Sequence, residues 1–338
     1  MNKPFISIII TAYNRREFLK YAIKSVLNQA LDKGLYEIIV VKNFKDPEVD
    51  RLVEQNRGKV IELDAASIGI KFARGIEEAE GEIIAFLDDD DIYTQTRLAR
   101  IYEAFSNDEK LIYFHHNVAT ISQDGKPITD ELIERTNVNE FLRAESADDK
   151  KVVFAKYGWS LGLRSSSIAV KRDFIKRFVN VIKLFPDVVD VLLYLLALSS
   201  EGVVLHSPER LTLYRLSGTS ASSVRFVQDS EVRFRRAVRN AVRHAFARHA
   251  LVTTARLLDG WLAKYTNYDE ASIIGGVFSN WGRWLVKPLF NYILSNKPSI
   301  KYLGTALFGF AYLLSPALAR RLIHYYYTRS YFPSFSRL

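Results

Sequence analysis

The chain has 338 residues, 48% of them hydrophobic and 25% charged, which fits one large or two modest globular domains and excludes a disordered chain. It contains no cysteine, so a disulfide framework, a thiol nucleophile and a Cys-based zinc site are excluded, and a reducing compartment suits it. The net charge of +9 is uneven: residues 222–338 carry 17 Lys and Arg against 5 Asp and Glu, which leaves the first 221 residues at −3. A basic, apolar tail behind a near-neutral front is not the profile of a nucleic-acid binder. It suits a catalytic domain whose tail faces anionic lipid.

The N-terminal Met-Asn-Lys-Pro lacks the length and cleavage pattern of a signal peptide, and the apolar run Phe5–Thr11 reads as a first buried strand. Next, Arg16–Gln29 places Phe18, Leu19, Ala22, Ile23, Val26 and Leu27 at helical spacing. Tyr36–Val41 reads as a strand, Pro47–Gln55 as a helix, Val60–Leu63 as a strand and Ile70–Ala79 as a helix. Glu82–Leu87 is the next strand, Gln95–Phe105 a helix and Leu111–Asn117 a strand. This alternation predicts right-handed crossovers and a mainly parallel sheet, in which ligands bind at the carboxyl ends of strands. Asp130–Lys151 is polar, a helix and loops over the site. Gly158–Ser167 is rich in Gly and Ser. Phe185-Pro-Asp187-Val-Val-Asp190 opens an apolar helix over Val191–Leu198, where Asp187 has the ordinary role of a helix cap. Val203–Leu205 and Leu211–Tyr214 read as short strands.

The most informative stretch is Gly81–Asp91, an apolar strand that ends in four aspartates, Asp88 to Asp91. Four adjacent carboxylates repel one another and cannot all be buried unpaired. At the end of a buried strand they call for a cation, and oxygen donors suit Mg²⁺ or Mn²⁺. Thr11-Ala-Tyr13-Asn14-Arg15 falls on the same expected edge. His115 and His116, on alternate faces of a strand, read as structural.

These motifs, in this order and spacing, resemble the family 2 glycosyltransferases of GT-A fold over residues 5 to about 220. Ile6–Arg15 is similar to the family's first strand and nucleotide loop. Gly69 with Ala73–Glu82 resembles the approach to the metal strand, Asp88–Asp91 the DxD signature, and Leu213–Ser220 the closing Tyr-Arg segment. The resemblance implies an α/β GT-A domain over residues 1–221, with a nucleotide-sugar and metal half (1–125) and an acceptor half (126–221). A helical tail follows over residues 222–338. It implies a UDP- or GDP-sugar donor contacted by Thr11, Tyr13, Asn14, Arg15, Arg74, Asp88 and Asp89. Mn²⁺ or Mg²⁺ would sit on Asp90 with help from Asp88 or Asp91, Trp159 and Arg215 would stand on the acceptor side, and the Gly158–Ser167 run would form an acceptor wall. Inverting transfer needs a general base, for which Asp187 is the first choice and Asp190 the second. An ion pair with Glu77 or Glu78 is the plain alternative for Arg74, and a core aromatic the alternative for Trp159.

Three departures stand out. Val41–Asp46 replaces the family's acidic Gly-Ser turn that contacts the base, only Asp187 and Asp190 stand in for its Glu-Asp pair, and Ser217 occupies the position of a histidine metal ligand. A catalytically degenerate scaffold that binds membranes is therefore a competing reading. A phosphatase of the haloacid dehalogenase type also uses strand-Asp-x-Asp, but its later Lys and paired acids have no counterpart here.

In the tail, Arg225–His249 is a basic helix with seven arginines, Gly275–Asn296 mixes tryptophans with basic residues, and Tyr302–Ala319 is 18 residues without a charge. An interfacial, monotopic helical tail on the cytoplasmic membrane face is the preferred reading. A soluble helical subdomain or oligomer interface, and a true span, are the others. A basic tail would also suit a lipid-linked acceptor.

Overall fold

Every residue of Ile6–Thr11 is buried, and this first strand, β1, sets the register of a ten-stranded sheet. The computed structural model describes residues 3–217, with isolated positions at 251, 254 and 315. The chain divides into two units, Met1–Ser217 and Gly218–Leu338. The three expected tail segments, Arg225–His249, Gly275–Asn296 and Tyr302–Ala319, lie outside the described residues. Among the described residues, no helix is long and apolar enough to cross a membrane.

After β1 come α1 (Leu19–Leu27), β2 (Tyr36–Lys42), α2 (Pro47–Glu54), β3 (Lys59–Glu62) and α3 (Ile68–Glu78). Then follow β4 (Ile83–Asp88), β5 (Ile92–Tyr93), α4 (Arg97–Asn107), β6 (Leu111–Ile121) and β7 (Pro127–Ile128). Next are α5 (Glu131–Glu134), β8 (Leu142–Ala144), α6 (Ala147–Tyr157), β9 (Ile168–Lys171) and α7 (Arg172–Lys176). The unit closes with α8 (Val179–Lys183), α9 (Val189–Leu198) and β10 (Val203–Arg215).

The main path of the sheet runs β3-β2-β1-β4-β9-β6-β10-β5, with β7 on β6 and β8 on β10. Strands β1 to β4 are mutually parallel, as are β6 and β10, while β9 runs antiparallel between β4 and β6. The sheet is thus the mixed, mainly parallel one that the GT-A resemblance implies. The Gly/Ser composition before β9 hid a strand of four residues, and β5 is too short to leave a pattern. β10 is one strand where two were expected. Pro208 has no N–H for the ladder, and register shifts bracket it between Ser207 and Arg210.

Side-chain alternation assigns the two faces of the sheet. Ile6, Ile8 and Ile10 join Leu19, Ala22, Ile23 and Val26 of α1, with Leu98 and Ile101 of α4, in one apolar core. On the other face Phe86 stacks on Phe72 of α3, ring centroids 4.5 Å apart. Gly75 lets α3 approach there, since a Cβ would stand 2.6 Å from Ile9. A buried polar link ties the amino ends of these strands. Ser7 donates to Glu37 at 2.6 Å and accepts the Gly81 N–H at 2.9 Å. At the opposite, carboxyl ends the register sets Thr11 beside both Val41 and Asp88.

Candidate active site

Asp88 ends β4, and the three aspartates after it turn back over the sheet edge. All four are wrapped by partners from distant parts of the chain. Arg15, just past β1, forms a two-pronged pair with Asp89, its Nε donating to Oδ2 at 3.0 Å, while its Nη1 stands 2.8 Å from Asp90 Oδ2. Ser165 Oγ lies 2.9 and 2.8 Å from the two Asp88 carboxylate oxygens, and the Asp88 N–H donates to Ser166 Oγ at 3.0 Å. Asp91 Oδ1 accepts the Arg215 N–H at 2.9 Å, whereas its Oδ2 is buried with no hydrogen-bond partner. The Arg215 guanidinium donates to the carbonyls of Asp90, Ser122 and Gln123 and lies 4.6 Å from the Phe18 ring centroid.

Burial is the dominant electrostatic influence. It pushes Asp88 up to about 6 against the stabilising Ser165 hydroxyl, with Asp89 and Asp190 adding repulsion. It pushes Asp90 up to about 7, although Arg15 opposes the rise. Asp91 is driven well above the carboxylate range by burial and by Asp90 and Asp88. For Arg15, desolvation would lower the pKa, but the Asp89 hydrogen bond and the three acidic charges outweigh it and raise it.

The loop after β1 is held by two asparagines. The Asn14 N–H donates to Asn43 Oδ1, and Asn43 Nδ2 donates back to Asn14 Oδ1, both at 2.8 Å. Asn14 takes a left-handed φ of 54°, a conformation asparagine tolerates. The neighbouring Tyr13 ring is about a third exposed and has the Lys71 ammonium 4.9 Å from its centroid.

The second half of the site comes from the segment before β9 and the start of α9. Asp190 lies in the first turn of α9, where its Oδ2 accepts the Arg164 N–H at 2.8 Å and its Oδ1 the Val191 N–H at 2.9 Å. Burial raises Asp190 to about 6, those two N–H groups oppose the rise, and Asp187 adds to it. Asp187 does not cap α9 as expected. The N-cap is Val188, left-handed at φ 52°, and Asp187 Oδ1 instead accepts the Val188 N–H at 2.9 Å.

Adjacent residues therefore bridge the two carboxylate centres: the Arg164 N–H holds Asp190 and the Ser165 hydroxyl holds Asp88. Arg74 and Trp159 are engaged elsewhere. Arg74 pairs with Glu78 at 2.7 Å along α3, and Trp159 packs edge-on to Phe154 at 4.8 Å. The histidines are core. His115 Nδ1 lies 2.9 Å from His206 Nδ1, and His116 Nε2 accepts from the buried Arg97 at 2.7 Å. Sequence reasoning marked the Gly158–Ser167 run as an acceptor wall and the Val41–Asp46 turn as a departure, but singled out none of Ser165, Arg164 and Asn43 within them. Only the run Ser165-Ser-Ser167, three hydroxyls in a row before an apolar stretch, carried a signal.

Among the described residues, no three His, Asp or Glu side chains converge as a ready metal cage. Asp89 is turned to Arg15, and Asp91 to Arg215. Mg²⁺ or Mn²⁺ bound with substrate phosphates and waters needs only one or two carboxylates. Asp90, buried and paired with Arg15, together with the half-buried Asp88 held by Ser165, fits that lesser demand.

A mixed sheet with an acidic turn at the carboxyl end of its fourth strand is the GT-A architecture. S. aureus TarS residues 1–349 in complex with UDP has the same fold, with a TM-score of 0.55 at 13% identity over 95% of this chain and 88% of that one. Its complex with UDP-GlcNAc aligns with a TM-score of 0.52 at 14% identity, over 94% and 82% of the two chains. Residues 7–169 match the family model for glycosyl transferase family 2. The putative glycosyltransferase EpsH of Bacillus subtilis (strain 168) is 33% identical over 96 residues, 27% of each chain. An uncharacterized glycosyltransferase of Nostoc sp. (strain PCC 7120), alr2836, is 36% identical over 118 residues, 33% of this chain and 36% of that one. This chain thus spans only about a third of the length of these two relatives.

Proposed function

We propose that this chain is an inverting glycosyltransferase that moves a sugar from a nucleotide diphosphate to an acceptor hydroxyl or phosphate. The observation that carries the reading is the Arg164–Ser165 bridge, which ties the strand-end Asp88 to Asp190 and so joins a donor edge to a candidate base. Asp190 is the better base, reversing the order expected from sequence. Its carboxyl is raised to about 6, close to the working pH that a general base needs. It takes the acceptor proton as the acceptor oxygen attacks the anomeric carbon from the face opposite the leaving diphosphate. Its two N–H partners keep the carboxylate oriented.

Asp90 with Asp88 would hold Mn²⁺ or Mg²⁺, and the ion, when bound, supplies Lewis-acid neutralisation of the leaving diphosphate. Thr11, Tyr13 and Asn14 line the edge where the nucleotide is placed, Tyr13 offering an exposed ring for the base. A UDP-sugar is favoured over a GDP-sugar because the TarS structures of this fold are complexes with UDP and UDP-GlcNAc. Peripheral attachment to an anionic, cytoplasmic membrane face and a lipid-linked acceptor follow from the basic tail of residues 222–338.

A thermal-shift panel of UDP, GDP and their sugars, with and without Mn²⁺, tests this reading on wild type and Asp90→Ala. Ligand at a hundred times its dissociation constant adds about 2.7 kcal/mol. Metal-dependent stabilisation by one nucleotide class, lost in Asp90→Ala, is the expected result. No shift with any nucleotide would return the chain to a scaffold role.

A further inference from the structure

Two arginines serve the acidic turn in different ways. Arg215 is buried, and its guanidinium is spent on three backbone carbonyls over Phe18, so it is a fixed clamp. Arg15 is about a fifth exposed and spends its guanidinium on the carboxylates themselves, with Asp89 on one side and Asp90 on the other. Among the described residues, it is the cation within ion-pair distance of either. The backbone beneath it is pinned by the reciprocal Asn14–Asn43 bonds, so any movement belongs to the side chain. A guanidinium on Asp90 Oδ2 covers an oxygen that a divalent ion would need, and both cannot hold it at once.

We propose that Arg15 is a built-in counter-ion that competes with the divalent metal for Asp90. On this view the metal enters readily only with a nucleotide diphosphate, whose phosphates receive the displaced guanidinium. The proposal rests on the metal-dependent transferase reading above. It makes metal and nucleotide binding mutually reinforcing, since each relieves the cost the other meets. It also keeps Asp89 and Asp90 neutralised in the resting protein, where burial of unpaired carboxylates is costly.

The test is a Mn²⁺ titration followed by electron paramagnetic resonance, with the full chain at pH 7.5, with and without UDP. Wild type is compared with Arg15→Ala, Arg15→Gln and Asp90→Asn. Arg15→Gln keeps volume and hydrogen bonding should the alanine variant fail to fold. A purely structural arginine would weaken metal binding, or leave it unchanged, when removed. A competitor strengthens it: Mn²⁺ alone should bind Arg15→Ala and Arg15→Gln at least about tenfold more tightly than wild type. UDP should then raise Mn²⁺ affinity strongly in wild type and little in those variants.

Equal or weaker Mn²⁺ binding by folded Arg15 variants overturns the proposal. The transferase reading survives that result if Mn²⁺ still binds with UDP in wild type and is lost in Asp90→Asn. No Mn²⁺ binding by any form, with or without UDP, removes both.

Discussion

Replacing Asp190 with Asn separates burial from charge at the candidate base. The Asp190 carboxyl is raised from 3.8 to about 6, so between those values the folded state holds a proton that the unfolded state has released. Stability from this group is complete below 3.8 and is lost as pH rises through about 6. The full difference is worth about 3 kcal/mol, of which about 2 kcal/mol lies between pH 4.5 and pH 8. Asn is neutral throughout, but its amide turns a donor toward either the Arg164 or the Val191 N–H, which costs about 1–3 kcal/mol at every pH. Asp190→Asn should therefore be clearly less stable than wild type at pH 4.5, with the gap closing by about 2 kcal/mol, or about 4–8 °C in Tm, by pH 8. Asp88 feels the charge of Asp190, and removing that charge favours the variant at high pH in the same sense. Thermal melts of both proteins across that range, at one ionic strength, read the gap directly. A gap that stays constant with pH would refute the raised pKa, and with it the argument that chose Asp190 over Asp187. If Asp190 is the base, wild-type kcat/KM rises with pH through about 6, and the variant loses about 10²–10⁴-fold in kcat while keeping its UDP–Mn²⁺ thermal shift.

Three other substitutions probe the supports of the site. Ser165→Ala removes the hydroxyl that favours ionised Asp88, so it should cost about 1–3 kcal/mol at pH 8 and less at pH 5, where Asp88 is mostly protonated; urea titrations at the two pH values measure the difference. Gly69→Ala would set a Cβ 2.1 Å from the Ile182 carbonyl oxygen and 2.3 Å from that of Phe185, and a loss of about 3 kcal/mol or more is expected in the urea midpoint. Val188→Gly relieves a left-handed valine and should stabilise by about 1 kcal/mol while lowering kcat, because the turn that aims Asp187 and Asp190 loosens. A less stable Val188→Gly protein would show that packing of the valine outweighs its strain.

The strand-end edge that carries Thr11 and Asp88 was legible in the sequence because its signals are local. A mainly apolar hexapeptide ends at Thr11, another apolar run ends at Asp88, and strand alternation alone puts both ends on one edge. Their register, Thr11 beside Asp88, agrees with that reading. The contacts of Arg164 and Ser165 were not legible, although their Gly/Ser-rich run was, since they join residues far apart in sequence. Ser165 and Asp88 are separated by 77 positions, and Arg164 and Asp190 by 26. The antiparallel β9 that brings them together has only four residues, below the length at which periodicity speaks. Arg74 went the other way. Its (i, i+4) partner Glu78 was visible in the sequence, and that local pair is the one the structure contains.

Backbone strain marks the same region independently of charge. Four non-glycine residues of the described chain have positive φ: Asn14, Arg57, Arg164 and Val188. Three of them belong to the site, and only Asn14 is of a type that adopts this conformation cheaply. Arg164 at 68° and Val188 at 52° stand on either side of Asp190, the first donating its N–H to the carboxylate and the second starting the helix that carries it. A valine in this conformation costs about 1–2 kcal/mol and persists only where the surroundings hold it. The fold bears that cost on both flanks of one half-buried carboxylate and nowhere around Arg74 or Trp159. The strained turns and the bridge to Asp88 converge on Asp190, and the proposed role of this carboxylate as the base rests on them together with the rise of its pKa on desolvation.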